Sequence, residues 1–247
     1  MTSLKLAWKK LGTGIVLLQW FGNLVLLLLA FAWLQIPDSH TWQFLLSLLF
    51  AFILVFAFLA LYARTFRKLC AVTPPGSFWK RLLILLAVIL IGYVLLQLIG
   101  VGRGHDALFA GYWNSKFPAV QRSFFTFQRL VVWQDHFYDL LQWLLVALLL
   151  PIAFVGAASG HRGGTLSIRD IYRHLLYWLL VVIFGFLGSY ITSLLVGWTP
   201  GHGTAIEILS VLLRLSAAYT LDILLWCFVL ALMAVYSVRA ASTGPEQ

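Results

Sequence analysis

The sequence TAIEILSVLLRLSAAYTLDILLWCFVLALMAVYSVR, residues 204–239, decides what kind of fold this chain can form. It has three charged residues between its ends, set among leucine, isoleucine, valine and aromatic side chains. At about 100° per residue, one stripe of a helix collects its polar and small side chains. The residues of this stripe are Glu207, Ser210, Arg214, Ala217, Ala218 and Asp222. Such a helix turns its polar stripe towards other protein and its apolar sides towards lipid, which predicts a membrane-spanning helix.

The composition of the whole chain also indicates a membrane protein. Of its 247 residues, 62% are hydrophobic and 10% are charged, whereas a soluble domain carries about 25% charged residues. Long uninterrupted apolar runs predict membrane-crossing helices and argue against the short alternating strands of a membrane β-barrel. The predicted spans are residues 12–35, 43–63, 80–100, 138–159, 173–197 and 206–236. We therefore expect an all-α, polytopic membrane protein, a single domain of six transmembrane helices in three hairpins.

The basic residues are distributed unevenly among the segments that join these spans. Twelve of the 17 fall in the two terminal segments, in the loops after the second and fourth spans, or in the first two residues of the spans that follow these loops. They are Lys5, Lys9, Lys10, Arg64, Arg67, Lys68, Lys80, Arg81, Arg162, Arg169, Arg173 and Arg239. Because cytoplasmic loops carry the excess of Lys and Arg, both termini are predicted to lie in the cytoplasm, with the chain in the inner (plasma) membrane of the cell.

This distribution also explains why the chain carries a net charge of +9. The excess is a topology signal and a point of contact with anionic lipid. No basic stretch alternates with aromatic residues on a soluble module, so the sequence does not indicate nucleic-acid binding.

The long segment at residues 101–137 is predicted to lie outside the cell. It contains nine aromatic residues, too many for a disordered linker, and it is too polar to span a membrane. From Pro118 onwards, Val120, Phe124, Phe127 and Val131 recur at helical spacing. We expect an amphipathic helix that lies in the outer interface or caps the bundle.

Three patterns predict how helices pack. Gln19 and Asn23, four residues apart, are expected to form hydrogen bonds to a neighbouring helix. Small residues at Gly185, Ser189 and Ser193, with Gly188 beside them, predict a close helix–helix contact. Pro151 is expected to kink the fourth span. Cys70 and Cys227 are the cysteines of the chain, and neither lies in a C-x-x-C motif, so no disulfide is predicted.

Ionisable and amide residues collect towards the end of the bundle that is predicted to be outer. The candidates for a ligand site or for structural ion pairs are Asp135, Asp139, Gln142, Glu207, Arg214 and Asp222. Ionisable residues inside a membrane are functional candidates. The structural interpretation is that Arg214 pairs with Asp139 or Asp222 and ties the fourth span to the sixth. The alternative is a site for a ligand, a lipid or a proton.

The sequence carries no recognisable catalytic motif. It has neither H-E-x-x-H nor G-x-S-x-G, and the glycine-rich turn at residues 100–104 follows a membrane span rather than a strand. Histidines and aspartates occur on the predicted outer side, at His105, Asp106, Asp135, His136, Asp139 and His202, without the spacing of metal ligands. No metal site and no cofactor is predicted.

These observations favour a non-enzymatic integral membrane protein, most simply a structural or accessory subunit of a larger membrane complex. Its expected partners are membrane lipids and either other membrane subunits or further copies of itself. The second and third spans hold few polar residues, which leaves little to line a wide aqueous path. Two alternatives remain open. One is a small permease-like transporter, and the other is a membrane-embedded enzyme that acts on a lipid at the outer leaflet through Asp135, Asp139 and Arg214.

Overall fold

The computed structural model describes residues 3–36, 40–71, 78–159, 166–197 and 203–239. The regular elements in these ranges are all helices. They are α1 (Ser3–Lys10), α2 (Thr13–Trp33), α3 (Thr41–Cys70), α4 (Phe78–Arg103), α5 (Asp106–Lys116), α6 (Ala119–Arg122), α7 (Phe127–Ser159), α8 (Ile168–Arg173), α9 (Leu175–Gly197) and α10 (Thr204–Arg239). Six of them, α2, α3, α4, α7, α9 and α10, are long and apolar enough to cross a membrane. The prediction of an all-helical chain with six helices that can span a membrane is therefore confirmed, and these helices indicate a multi-pass membrane protein.

The segment between the third and fourth spans differs from its prediction. The continuous helix expected from Pro118 is interrupted, because α6 ends at Arg122 and α7 begins at Phe127. Two contacts favour this turn over a helix: the Phe117 and Phe125 rings stack with centroids 4.4 Å apart, and the Asn114 side chain donates a hydrogen bond to the Phe125 carbonyl. Helix α7 therefore starts 11 residues before the predicted span, and α5 is a helix that the apolar pattern did not indicate.

The second half of α10 is the centre of the bundle. Every residue from Val229 to Tyr236 is at most 5% exposed, and α10 contacts α1, α2, α3, α8 and α9. The first half of α10 is far more open, with Leu213 63% exposed. One end of the bundle is thus tightly packed around α10, while at the other end α10 is largely exposed.

The packed end also carries most of the described cations, and we call it the basic end. It is formed by α1, the end of α3, the start of α4, α8 and the end of α10. The Lys10 ammonium donates to the Leu69 carbonyl at 3.1 Å, joining α1 to α3. The Ser167 N–H donates to the Ser237 carbonyl at 3.2 Å, joining the start of α8 to α10.

The predicted amide contact joins α2 to α3. Gln19 is fully buried, and its Nε2 donates to the Thr65 hydroxyl at 2.6 Å. The Asn23 Nδ2 donates to Gln19 Oε1 at 2.8 Å, which completes a chain of hydrogen bonds. The expectation that this pair hydrogen-bonds a neighbouring helix is confirmed. A chain of this kind satisfies polar atoms that would be costly to bury alone.

Helix α7 carries Pro151 in its interior. Proline has no N–H to donate to the carbonyl four residues earlier, which here belongs to Ala147. The Tyr177 hydroxyl of α9 donates to this carbonyl at 2.8 Å. The Tyr172 hydroxyl of α8 donates to the adjacent Leu148 carbonyl. Two tyrosines from neighbouring helices thus supply donors beside the proline, and they hold α7 against α8 and α9.

Candidate functional site

The candidate residues at the start of α7 form an ion-pair cluster with a cation that the sequence analysis had not considered. Arg103, at the end of α4, donates from Nε to Asp135 at 2.8 Å and from Nη1 to Asp139 at 3.0 Å. The three side chains are 34–43% exposed. The spacing of the two aspartates by one helical turn places both carboxylates opposite one guanidinium. Because the pairs are partly exposed, each contributes about 1 kcal/mol or less.

Arg214 was predicted to pair with Asp139 or Asp222, and the first of these bonds to Arg103. Arg214 is 8% exposed and donates from Nη1 to the Leu195 carbonyl at 2.8 Å. It also donates from Nε to the Ser210 carbonyl of its own helix. The Leu195 carbonyl is one of the last four of α9, which have no partner within that helix. Arg214 thus caps the C-terminal end of α9, where a cation is also favoured by the helix dipole.

A cavity of about 520 Å³ opens between α7, α9 and α10. It is lined by Trp143, Phe184, Gly185, Gly188, Ser189, Thr192, Ser193, Asp222 and Trp226. Asp222 stands at the middle of the 36-residue α10. Of the six candidate residues, Asp222 is the one that lines this cavity. Gln142 and Glu207 are half-buried and lie outside its lining.

Glycines of α9 bring the walls of this cavity together. A Cβ atom on Gly188 would lie 2.7 Å from Oδ1 of Asp222, so a glycine there lets the carboxylate rest against the α9 backbone. A Cβ atom on Gly185 would lie 2.1 Å from the Trp143 ring. The predicted close contact of α9 is therefore found at its glycines, which line the cavity together with Ser189 and Ser193.

The Asp222 carboxylate has polar and aromatic neighbours. The Thr192 hydroxyl interacts with it from α9. The rings of Trp143 and Trp226 lie on the same cavity with centroids 6.1 Å apart and a tilt of 37°. Within the described ranges, the ion pairs involve Asp135, Asp139 and Asp170, and none involves Asp222.

The chemistry of this site is that of a single anionic group with hydroxyl and aromatic neighbours. Among the described residues, no group of three His, Cys, Asp or Glu side chains is placed to hold a metal ion. One carboxylate with hydroxyl oxygens and indole faces is suited to a cation or a proton rather than to nucleophilic chemistry.

Sequence reasoning placed Asp222 on the polar stripe of α10 but could not place it in a cavity. It missed Trp143, Thr192 and Trp226, which gave no signal because apolar and hydroxyl residues are common in membrane helices. Comparisons of the chain with protein-family models, with curated proteins and with solved structures found no match.

Proposed function

We propose that this chain is a non-enzymatic, permease-like carrier of the plasma membrane that binds an organic cation at Asp222. The observation that carries this proposal is the carboxylate at the middle of α10, in a cavity with hydroxyl and aromatic walls and without a described ion-pair partner. A charged side chain in a membrane helix costs free energy, up to about 2.5–3.5 kcal/mol for an Asp at the helix centre on insertion scales. A bound cation would offset that cost.

The lining of the cavity matches the needs of such a ligand. The carboxylate supplies the opposite charge, and the hydroxyls of Ser189, Thr192 and Ser193 can accept hydrogen bonds from an ammonium group. The indole faces of Trp143 and Trp226 attract cations, by about 2 kcal/mol when the ion is desolvated. The volume of about 520 Å³ is typical of small-molecule sites and exceeds what a bare metal ion needs.

Features at the two ends of the bundle support a topology in which the basic end is cytoplasmic. We place the basic end in the cytoplasm, with both termini there, because cytoplasmic segments carry the excess of Lys and Arg. The contacts of α2 with α3, of α4 with α7 and of α9 with α10 are compatible with three hairpins. At the opposite end, Leu108 and Val120 are 71% and 87% exposed, which suits short helices that lie in the outer interface.

The cation site is tested with purified protein in nanodiscs and tetraphenylphosphonium as the probe. We expect wild-type protein to bind the probe and Asp222→Asn to bind it at least 10-fold more weakly, since a tenfold change corresponds to about 1.4 kcal/mol. The matched control is Glu207→Gln, which removes one carboxylate from the same helix outside the cavity and should leave binding unchanged. Equal binding by wild type and Asp222→Asn would refute the site.

A role as an accessory subunit is the second candidate, and the length of α10 favours it. Its 36 residues make a helix about 54 Å long, while the hydrocarbon core is about 30 Å thick. The exposed apolar side chains of its first half, such as Leu209 and Leu213, would therefore extend beyond the lipid tails. A partner subunit or a second copy would bury them, and mass spectrometry of the same purified sample would detect such a complex.

The geometry gives less support to the enzyme alternative. Its proposed residues are engaged elsewhere, because Asp135 and Asp139 bond to Arg103 and Arg214 bonds to the Leu195 carbonyl. Acid–base or nucleophilic catalysis needs such groups to face a shared substrate position.

A further inference from the structure

Three arginines lie where α3 ends and α4 begins, at the basic end of the bundle. Arg64 and Arg67 are in the last two turns of α3, and Arg81 is in the first turn of α4. Helices α3 and α4 contact each other. The charges of Arg64 and Arg81 both act on the Arg67 guanidinium and repel it.

The Arg81 guanidinium is the unusual member of this cluster. Its Nη1 atom is buried and has no hydrogen-bond partner among the described residues. A buried donor of a charged group without a partner is strongly destabilising. The guanidinium of Arg67, by contrast, is held in place by donation from its Nε to the Ala63 carbonyl at 3.3 Å.

No acid on the described residues balances these charges. The described acidic residue at the basic end is Asp170, which lies on α8 and faces Arg173 at 3.8 Å. Lys10 and Lys68 add further positive charge beside the end of α3. The cluster therefore combines mutual repulsion with an unused buried donor, and a bound anion would relieve both.

We propose that Arg64, Arg67 and Arg81 form a binding site for a phosphate group, supplied by the headgroup of an anionic phospholipid. Guanidinium groups match the geometry of phosphate oxygens and bind them through paired N–H donors. The cytoplasmic leaflet, where the basic end is placed, is rich in anionic lipid. The site lies apart from the Asp222 cavity and does not depend on the proposed carrier function.

The test measures lipid binding to the full-length protein in neutral detergent by native mass spectrometry and thermal unfolding. We expect phosphatidylglycerol to bind more tightly than phosphatidylcholine and to raise the melting temperature of the wild type. Arg81→Gln should weaken phosphatidylglycerol binding at least 10-fold. The matched control is Arg169→Gln, which removes an equal charge from the exposed face of α8 and should change binding by less than 2-fold.

A second readout separates ligand binding from a structural role. Without lipid, Arg81→Gln should be at least as stable as the wild type, because it removes a positive charge that repels Arg67 and a buried donor without a described partner. Arg81→Lys keeps the charge but not the paired donors, and it should bind phosphatidylglycerol more weakly than the wild type. A lipid-free Arg81→Gln protein that is markedly less stable would overturn the proposal.

The remaining outcomes identify the source of the phosphate. If inorganic phosphate at millimolar concentration raises the melting temperature, and Arg81→Gln abolishes this effect, the site binds phosphate and the lipid is not its required source. If Arg81→Gln and Arg169→Gln weaken phosphatidylglycerol binding equally, or if phosphatidylcholine binds as well as phosphatidylglycerol, no specific site exists.

Discussion

Tyr177 acts at Pro151 as a side-chain replacement for a missing backbone donor. Its hydroxyl bonds to the Ala147 carbonyl in the buried interior, and Tyr177 itself is fully buried. We expect Tyr177→Phe to lower the free energy of unfolding by about 1–3 kcal/mol, the cost of leaving a buried acceptor unsatisfied. The matched control is Tyr190→Phe on the same helix, at a side chain that is 67% exposed, which should change little.

The role of Pro151 in this effect is separable by a double-mutant cycle. In a Pro151→Ala background the backbone N–H can bond to the Ala147 carbonyl, so Tyr177→Phe should cost less there than in the wild type. Unfolding by titration with a denaturing detergent would measure the four proteins of the cycle. Strictly additive costs would show that the tyrosine and the proline act independently.

The limits of sequence reasoning are clearest at single polar residues. Asp135 and Asp139 were recognised as candidates, but their partner Arg103 is more than 30 residues away, and a helical pattern cannot identify such a distant partner. Arg214 was expected to need a carboxylate, yet it donates to the Leu195 carbonyl near the end of α9. Long-range pairing depends on which helices meet, and that depends on packing.

Helix α9 shows how small residues create space for a site. Its Gly185 lies against the Trp143 ring, so Gly185→Ala would force Trp143 to move. We expect this change to destabilise the protein by about 1–3 kcal/mol through overpacking and to weaken tetraphenylphosphonium binding. Thermal unfolding and equilibrium binding would measure the two effects.

The control for that change is Gly100→Ala in α4. A Cβ atom there meets no other atom within 4 Å, and alanine is favoured over glycine in a helix by about 1 kcal/mol. Gly100→Ala should therefore leave binding unchanged and stability equal or slightly higher. If Gly185→Ala behaved in the same way, Trp143 would not be fixed by contact with α9.

The helices were easier to predict from the sequence than the contacts between them. A long apolar run has essentially one stable form in lipid, a helix, so the six spans could be recognised from the sequence. The early start of α7 could not, because residues 127–137 are too polar to count as a span and yet continue the same helix. The cavity depends on Trp143, Gly188 and Asp222 coming from three different helices, and no local pattern encodes that meeting.

The two ends of the molecule differ, because the basic end is packed around the second half of α10 and the opposite end holds α5. The orientation of a membrane protein depends on the Lys and Arg residues of its loops rather than on helix packing. We therefore expect the basic end to be cytoplasmic and α5 to be outside. Single cysteines at Lys5, in α1, and at Ser115, in α5, would report on the two ends, since both positions are exposed.

A membrane-impermeant maleimide gives these two positions opposite outcomes. The native Cys70 and Cys227 are buried, so they should contribute little background labelling. Ser115→Cys should react in intact cells, or in spheroplasts where an outer envelope blocks the reagent, whereas Lys5→Cys should react only after the membrane is permeabilised. The reverse pattern would place α5 in the cytoplasm. The arginine cluster would then face the outer leaflet, and its lipid would have to come from that side.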